Sequence, residues 1–292
     1  MRLLPNNFVE ILHQHGKFLP DSVYLKILYR YGFGKTLNLR HPKTLNEKTH
    51  WLKLYDRRSI YPTMVDKFSA KDFVRINVGE KYVVPLLGVW NRFEDIAFAA
   101  LPDQFVLKTT HDSGGVVICT DKANFDIPAA REKLKKSLAN NYYWIYREWA
   151  YKHIRPRIMA EELLVSPNGT EIKDFKVFTF NGKVKLSFVA TNRHGEGGVL
   201  MNFYDRDWNS IPVERLHPRN PLETPKPEGY DTMVRIAETI GKDMFLLRTD
   251  FYQIGTQVFV GELTIYPSGG FDWFKPEGYD ELFGSWLKLP CD

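Results

Sequence analysis

The sequence predicts an α+β protein in which antiparallel β-hairpins follow a helical N-terminal region. Three observations carry this. Apolar residues fall near a 3.6-residue period through residues 1–58, the pattern of amphipathic helices. Asn181-Gly182 joins the apolar runs KDFKVFTF and KVKLSFVA, and this residue pair favours a tight two-residue hairpin turn. A second pair of β-branched and aromatic runs, Leu246–Ile254 and Val258–Ile265, is separated by Gly255-Thr256-Gln257.

At 292 residues the chain can bury a substantial core, in one large domain or in two to three small ones. Its 43% apolar and 26% charged residues are ordinary for a soluble globular protein. A net charge of +5 and a pI near 8.9 suit an anionic ligand, a nucleotide or an acidic polymer without specifying nucleic acid. The two cysteines, Cys119 and Cys291, form no CxxC pair or disulfide framework, which fits a reducing compartment. The opening MRLLPNNFVEILHQHGKF lacks the uninterrupted apolar run of a signal peptide, and nothing approaches a span of about 18 apolar residues. These features predict a cytoplasmic protein.

Within residues 1–58 the periodic positions are Phe8, Ile11 and Leu12, then Val23, Ile27 and Leu28, then Leu45, Trp51, Leu52 and Leu54. Asp21-Ser22 and Thr44 read as helix starts, with Glu47 placed to complete a capping box, and Gly32 and Gly34 end the second helix. The Lys/Arg-rich polar faces read as a solvated surface or as a polyanion-binding one. Beyond Tyr61, Asp66-Lys67 opens the short helix SAKDFVRINVG, and YVVPLLGVW reads as a strand.

Phe105–Lys108 and Val116–Thr120 are strands that bracket the loop TTHDSGG. Two glycines and three hydroxyl residues let backbone N–H groups approach a phosphate, and Lys108 at the strand end adds a charge to it. A surface hairpin with a polar tip is the other reading. No GK[ST] leads into a helix, so this is not a Walker sequence.

Ile127–Asn140 is a helix with Pro128 in its first turn. Arg157–Val165 is a strand whose adjacent acids, Glu161-Glu162, need a partner if one of them is buried. In the Asn-Gly hairpin, Asp174 and Lys176 share a strand face. Thr191–Gly198, TNRHGEGG, is a candidate lid over an anionic substrate with Arg193 and His194 at its centre, or an ordinary exposed loop. A proline-rich connection and the helix Tyr230–Ile240, ended by Gly241, then lead into the second hairpin. No GxSxG elbow, HExxH or paired Cys/His pattern occurs, and of the scattered histidines only His111 in the glycine loop stands out.

The second hairpin carries the chemistry. A three-residue loop pairs Ile254 with Val258 and sets Asp250 opposite Glu262, whereas a two-residue loop would put them on opposite faces. Facing carboxylates repel across a ladder, and a hard cation such as Mg²⁺ would remove the conflict. Arg248, on Asp250's face, either holds a phosphate or carboxylate of a ligand or neutralises both acids in a structural salt-bridge cluster.

In order, the chain offers Asp66-Lys67, FVLK ending at Lys108 with its glycine loop, MAEELL, DFK with an Asn-Gly hairpin, and RTD…GELTIYPSGG. This series resembles the ATP-grasp proteins, and most closely the TupA-like ATP-grasp family of teichuronopeptide and other surface-polysaccharide biosynthesis. The N-terminal GKTLNLRHPKTLNEKTHWLKLYD resembles that family's leader. The resemblance implies an ATP-grasp fold, with antiparallel sheets and helices clamping a nucleotide between two subdomains behind the helical N-terminal region. The implied divisions are 1–60 (helical), 61–100 (first part of the core), 101–162 (ATP-binding flap) and 163–292 (C-terminal subdomain with the metal site).

The resemblance also implies roles. Lys67 and Lys108 reach the ATP phosphates, and His111, Ser113, Gly114 and Gly115 belong to the flap over them. Glu161 stands at the adenine end, with Glu162, Leu163 and Leu164 lining the base. Asp174 and Lys176 resemble an Asp-x-Lys/Arg pair near the γ-phosphate. Arg248, Lys176 and Arg193 are the catalytic candidates. Asp250 and Glu262 resemble the Mg²⁺ carboxylates, with Thr264 where many relatives carry asparagine.

The implied reaction is ATP-dependent ligation of a carboxylate to an amine through an acyl phosphate, with ATP and Mg²⁺ as cofactors. By the same analogy the carboxylate belongs to a uronic-acid-containing glycan or precursor and the amine to an amino acid or small amine. The expectation includes no nucleic-acid partner and a place at the inner face of the membrane beside the polysaccharide machinery. The alternatives are a glycosyltransferase of surface-polysaccharide biosynthesis, whose DxD-type pair would sit on a βα turn, and a non-catalytic glycan-binding protein.

Overall fold

The computed structural model describes residues 6–166, 172–192 and 198–290. Three helices come first: α1 (Asn6–His15), α2 (Asp21–Phe33) and α3 (Leu45–Tyr55). The expected capping box starts α3. Thr44 Oγ1 accepts from the Glu47 N–H at 3.1 Å, and the Glu47 carboxylate accepts from the Thr44 N–H at 3.2 Å. Tyr24, Leu25, Leu28 and Tyr29, on one face of α2, bury against Leu37 in a small core of their own.

The short helices α4 (Tyr61–Val65) and α5 (Ser69–Val78) follow. Next come β1 (Leu86–Trp90), β2 (Phe105–Thr109), β3 (Val116–Cys119), α6 (Ile127–Leu138), the one-turn α7 (Tyr143–Tyr146) and β4 (Ile158–Glu162). These four strands form an antiparallel sheet in the order β1-β4-β2-β3. Ala130 and Leu134 of α6 share a core with Phe105, Leu107, Ile158 and Ala160 of the sheet.

The rest of the chain builds a larger sheet. Its elements are β5 (Asp174–Phe180), β6 (Lys183–Thr191), β7 (Leu200–Tyr204), β8 (Ser210–Ile211), β9 (Glu214–Arg215), α8 (Tyr230–Gly241), β10 (Leu246–Ile254), β11 (Gln257–Thr264), β12 (Phe274–Lys275) and α9 (Gly278–Trp286). Six strands run antiparallel in the order β11-β10-β5-β6-β7-β8, and β9 pairs separately with β12. Asn181 and Gly182 both have positive φ, as the predicted hairpin turn requires. Met233, Ile236, Ala237 and Ile240 on one face of α8 belong to the main core, together with Val177, Leu186 and Leu247.

The β10–β11 turn corrects one expectation and preserves its consequence. Ile254 pairs with Gln257, not Val258, so the turn is the two residues Gly255-Thr256 rather than a three-residue loop. Such a turn alone would separate Asp250 and Glu262. The extra residue lies further along, at Gly261, as a bulge between the pairs Phe251–Val260 and Asp250–Glu262. The bulge shifts the register by one and returns the two acids to the same face. A Cβ at position 261 would lie 2.6 Å from the Tyr252 ring, which favours glycine there.

Packing between the ends of the chain is equally close at Gly284 of α9. A Cβ there would stand 2.1 Å from the Lys43 carbonyl oxygen and 2.8 Å from the Leu45 nitrogen, backbone atoms fixed by the cap of α3. Gly284→Ala is therefore expected to lower the unfolding free energy by about 3 kcal/mol in a denaturant titration, the upper part of the overpacking range. Among the described residues no helix is long and apolar enough to cross a membrane.

Candidate functional site

A narrow cleft opens where α5 meets both sheets. Lys67 and Lys71 enter it from α5 and its leading turn, Glu161 from β4, and Val260, Glu262 and Leu263 from β11. Lys67, Lys71 and Glu161 thus face the same space as Glu262 from the opposite wall.

On the β4 side the central group is Glu161, 3% exposed. Strand alternation turns it inward and leaves Glu162 exposed, which settles which of the two acids needed a partner. Lys71 Nζ lies 2.5 Å from Glu161 Oε1, and Lys108 Nζ binds Oε2. Lys71 also donates to the Val84 carbonyl at 2.6 Å. Burial alone pushes the Glu161 carboxyl up, but Lys108 and Lys71 outweigh it and hold it below its ordinary 4.5. An acid depressed in the fold stabilises above its unfolded pKa. That stability is fully present above about pH 4.5 and is lost as pH falls through the folded value. The stability gap between wild type and Glu161→Gln is expected to narrow below pH 4.5 in denaturant titrations at stepped pH.

Lys67 ties this cluster to the flap loop and to β11. Its backbone N–H donates to the Thr110 carbonyl at 2.9 Å. Its Nζ donates to the Asp112 carbonyl and lies 3.7 Å from Glu262 Oε1. The loop is internally braced: the Thr109 and Ser137 hydroxyls both bind the Asp112 carboxylate, and the two hydroxyl oxygens are 2.8 Å apart. A Cβ at Gly115 would fall 1.9 Å from Thr109 Oγ1, so glycine is required there. Ser113 and Gly114 are exposed at the tip, with Gly114 at φ +98°.

On the β11 side, antiparallel register sets Lys176, Asp250 and Glu262 in one row across β5, β10 and β11. Arg248 grips Asp250 with two bonds, Nε to Oδ1 at 2.6 Å and Nη2 to Oδ2 at 2.9 Å, and its Nη2 is 3.9 Å from Glu262 Oε2. Lys176 Nζ binds Asp174 and lies 3.1 Å from Asp250 Oδ2. Burial opposes both charges. Yet Arg248, and then Lys176, hold the Asp250 carboxyl below its ordinary range, while Asp250 holds the Arg248 guanidinium above its own. The salt-bridge arrangement foreseen for Arg248 is present. Thr264 pairs with Arg248 in the ladder, and its buried Oγ1 has no hydrogen-bond partner among the described residues. Among those residues, no group of three or more His, Cys, Asp or Glu side chains is placed to hold a metal.

The order of these residues along the chain matches a known pattern. A model of the TupA-like ATPgrasp family matches residues 47–288. The chain belongs to that family. The match covers every site element described above. Solved structures similar to this TupA-like ATP-grasp protein include the D-alanine–D-alanine ligase of Helicobacter pylori, at 11% identity and TM-score 0.44 over 84% of this chain and 69% of that one. The Bacillus anthracis D-alanine–D-alanine ligase complexed with ATP matches at 15% identity and TM-score 0.41, over 70% of this chain and 55% of that one. The ADP complex of N5-carboxyaminoimidazole ribonucleotide synthetase matches at 16% identity and TM-score 0.42, over 70% of this chain. The chain spans 45% of that synthetase's length. No curated protein matches the chain.

One expected flap residue of this TupA-like protein, His111, does not face the loop tip. The His111 ring is turned into the protein, with Nε2 3.0 Å from the Asn140 carbonyl, and burial pushes its pKa down. It anchors the loop rather than standing at its tip. Arg193, with His194, lies outside the described residues. Glu162 donates its N–H to the Pro85 carbonyl at 3.1 Å, and Leu163 and Leu164 follow it, half-buried.

The structure also brings in residues that sequence reasoning missed. Lys71 stands in the first turn of α5, four residues after Lys67, and both line the cleft. Glu148, 3% exposed, lies behind Arg248 and Glu262 in the aromatic stretch NYYWIYREWAYKHIRP between Asn140 and Arg157. Burial pushes its carboxyl up to about 7, with Lys53 and Arg248 opposing and Glu262 adding to the rise. Burial likewise pushes Lys53 down to about 7, with Glu148 opposing. Lys53 Nζ donates to the Tyr146 carbonyl at 2.9 Å and to the Gly269 carbonyl. A lone acid among tyrosines and tryptophans was the only available signal for Glu148.

Proposed function

We propose that this protein is an ATP-dependent carboxylate–amine ligase. It would join the uronic-acid carboxylate of a surface glycan, or of its precursor, to an amino acid or small amine. The observation that carries the reading is that Lys67, Lys71 and Glu161 line one side of the cleft and Glu262 the other, with Lys67 Nζ 3.7 Å from Glu262 Oε1. Phosphoryl transfer asks a protein for positioning and charge neutralisation rather than covalent help.

Mg²⁺ suits the donors present. Asp250, Glu262 and the Thr264 hydroxyl, which has no hydrogen-bond partner among the described residues, are hard oxygen ligands, and Mg²⁺ is commonly held by one or two carboxylates together with substrate phosphates. When bound, it would supply neutralisation of the charge that develops on the transferring phosphoryl group.

In this reading Lys67 and Lys108 hold the phosphates beneath the Ser113–Gly115 amides. Glu161 positions Lys108 and Lys71, and the backbone of Glu162, Leu163 and Leu164 lines the adenine. Lys176, anchored by Asp174, and Arg248 stabilise the transferring group, and Arg193 draws the lid over the substrate. A substrate carboxylate oxygen attacks the γ-phosphorus and ADP leaves. The amine then attacks the acyl carbon, phosphate leaves with the C–O bond electrons, and the nitrogen loses a proton. Excluding water protects the acyl phosphate from hydrolysis. The uronic acid and the amine follow from the family resemblance. Asp250 and Glu262 lie across antiparallel strands, not on a βα turn, which supports the ligase over the glycosyltransferase reading.

The test is a panel of uronic acids and amines incubated with Mg·ATP. Sustained, multiple-turnover ADP release is expected only when both substrates are present, with a product mass equal to their sum less one water. ADP release from no pairing, or a nucleotide sugar binding in preference to ATP, would overturn the reading.

A further inference from the structure

The outward face of α2 is apolar where a solvated helix face is polar. Val23, Ile27 and Tyr31 stand on it at one-turn intervals, 41%, 36% and 38% exposed, while the opposite face already packs on the core. Lys26 and Arg30 share that outward face and are exposed, and no acidic residue occurs between positions 22 and 34. Phe8 of α1 stacks on the Tyr31 ring with centroids 4.0 Å apart, and Phe8, Lys26, Ile27, Arg30 and Tyr31 line one shallow surface groove. Phe18, just ahead of α2, is 96% exposed.

An apolar strip set among cations with no intervening acid suits a surface that is itself anionic outside and apolar beneath. A sugar polymer stacks on open aromatic faces. Here Phe8 stacks on one face of the Tyr31 ring, Val23 and Ile27 are aliphatic, and Phe18 is the one fully open ring among these residues, too few for a stacking platform. We infer that the outer face of α2, together with Phe18, docks on an anionic lipid bilayer. The apolar side chains enter the acyl boundary, and Lys26 and Arg30 stay at headgroup level, since long basic side chains extend to the interface. This surface shares no residue with the cleft, so the inference stands or falls apart from the ligase reading.

Co-sedimentation with vesicles tests it. The full chain is expected to pellet with phosphatidylglycerol vesicles and to remain in the supernatant with phosphatidylcholine vesicles. Lys26→Glu with Arg30→Glu is expected to weaken partitioning by at least about thirtyfold, since each basic residue near an anionic surface contributes about fivefold. Raising the salt from about 0.1 M to about 1 M, which shortens the Debye length from about 10 Å to about 3 Å, should weaken the wild type in the same direction. Val23→Asn with Ile27→Asn is expected to lose about tenfold, and to do so at both salt concentrations. This second pair, with the wild-type salt dependence, keeps the test decisive should the charge variant fail to fold. The inference is overturned if the wild type does not pellet with phosphatidylglycerol vesicles. It is overturned equally if the wild type binds both vesicle types alike, if folded variants of both kinds pellet like the wild type, or if it binds soluble alginate but neither vesicle.

Discussion

Glu161→Gln is expected to lower the unfolding free energy by about 3–5 kcal/mol, a fall of roughly 10 °C in melting temperature. The reason lies in its two partners. The side chains of Lys71 and Lys108 are only 8% and 15% exposed, and both meet Glu161. Removing the carboxylate leaves two buried ammonium groups without a counter-charge, a far larger penalty than the net worth of the original pairs. Replacing all three residues together, Lys71→Met, Lys108→Met and Glu161→Leu, should recover most of the stability. Calorimetric melts of the single and triple variants check this. A single variant melting within about a degree of wild type would mean that the cluster is not held as described.

Glu262→Gln is expected to separate chemistry from stability. Its side chain is 30% exposed, and its cationic neighbours stand at 3.7 Å and 3.9 Å, so the melt should move by less than about 1 kcal/mol. ADP release, in contrast, should fall on the order of a hundred- to a thousandfold, the loss typical when a preorganised electrostatic group is removed from the transferring phosphoryl. Asp250→Asn should lose as much activity and also about 3 kcal/mol of stability. It strips Arg248 and Lys176, whose side chains are 13% and 12% exposed, of a buried partner. Steady-state ADP release measured beside thermal melts distinguishes the two variants. Equal activity loss with unequal stability loss is the expected signature.

Much of this site was legible in the sequence, for reasons that differ from residue to residue. Period-2 alternation and the Asn181-Gly182 turn placed Asp174 and Lys176 on one face without reference to the rest of the fold. The facing of Asp250 and Glu262 was reached through the wrong turn. A bulge at a strand glycine and an extra loop residue have the same effect on register, and only packing against the Tyr252 ring marks Gly261 as the place. Glu161 announced its need for a partner but not the partner, because Lys71 lies some ninety residues away on a helix of the preceding region. Glu148 was out of reach altogether. Its burial depends on how a one-turn helix, the Lys53 side chain and the Pro267–Gly270 turn close around it, none of which has a periodic signature. His111 misled because a histidine in a glycine loop looks like a ligand-facing group until the loop's inward turn toward Asn140 is seen.

The most direct test of the central claim, that Mg·ATP binds in the cleft between Glu161 and Glu262, is a calorimetric titration of ATP into the folded protein with and without Mg²⁺. Saturable binding that depends on Mg²⁺ is predicted for the wild type, weakened at least about tenfold by Lys108→Ala and by Glu262→Gln, as expected for losing one charge-assisted contact each. No ATP binding by the wild type, or binding that both variants leave unchanged, would contradict it.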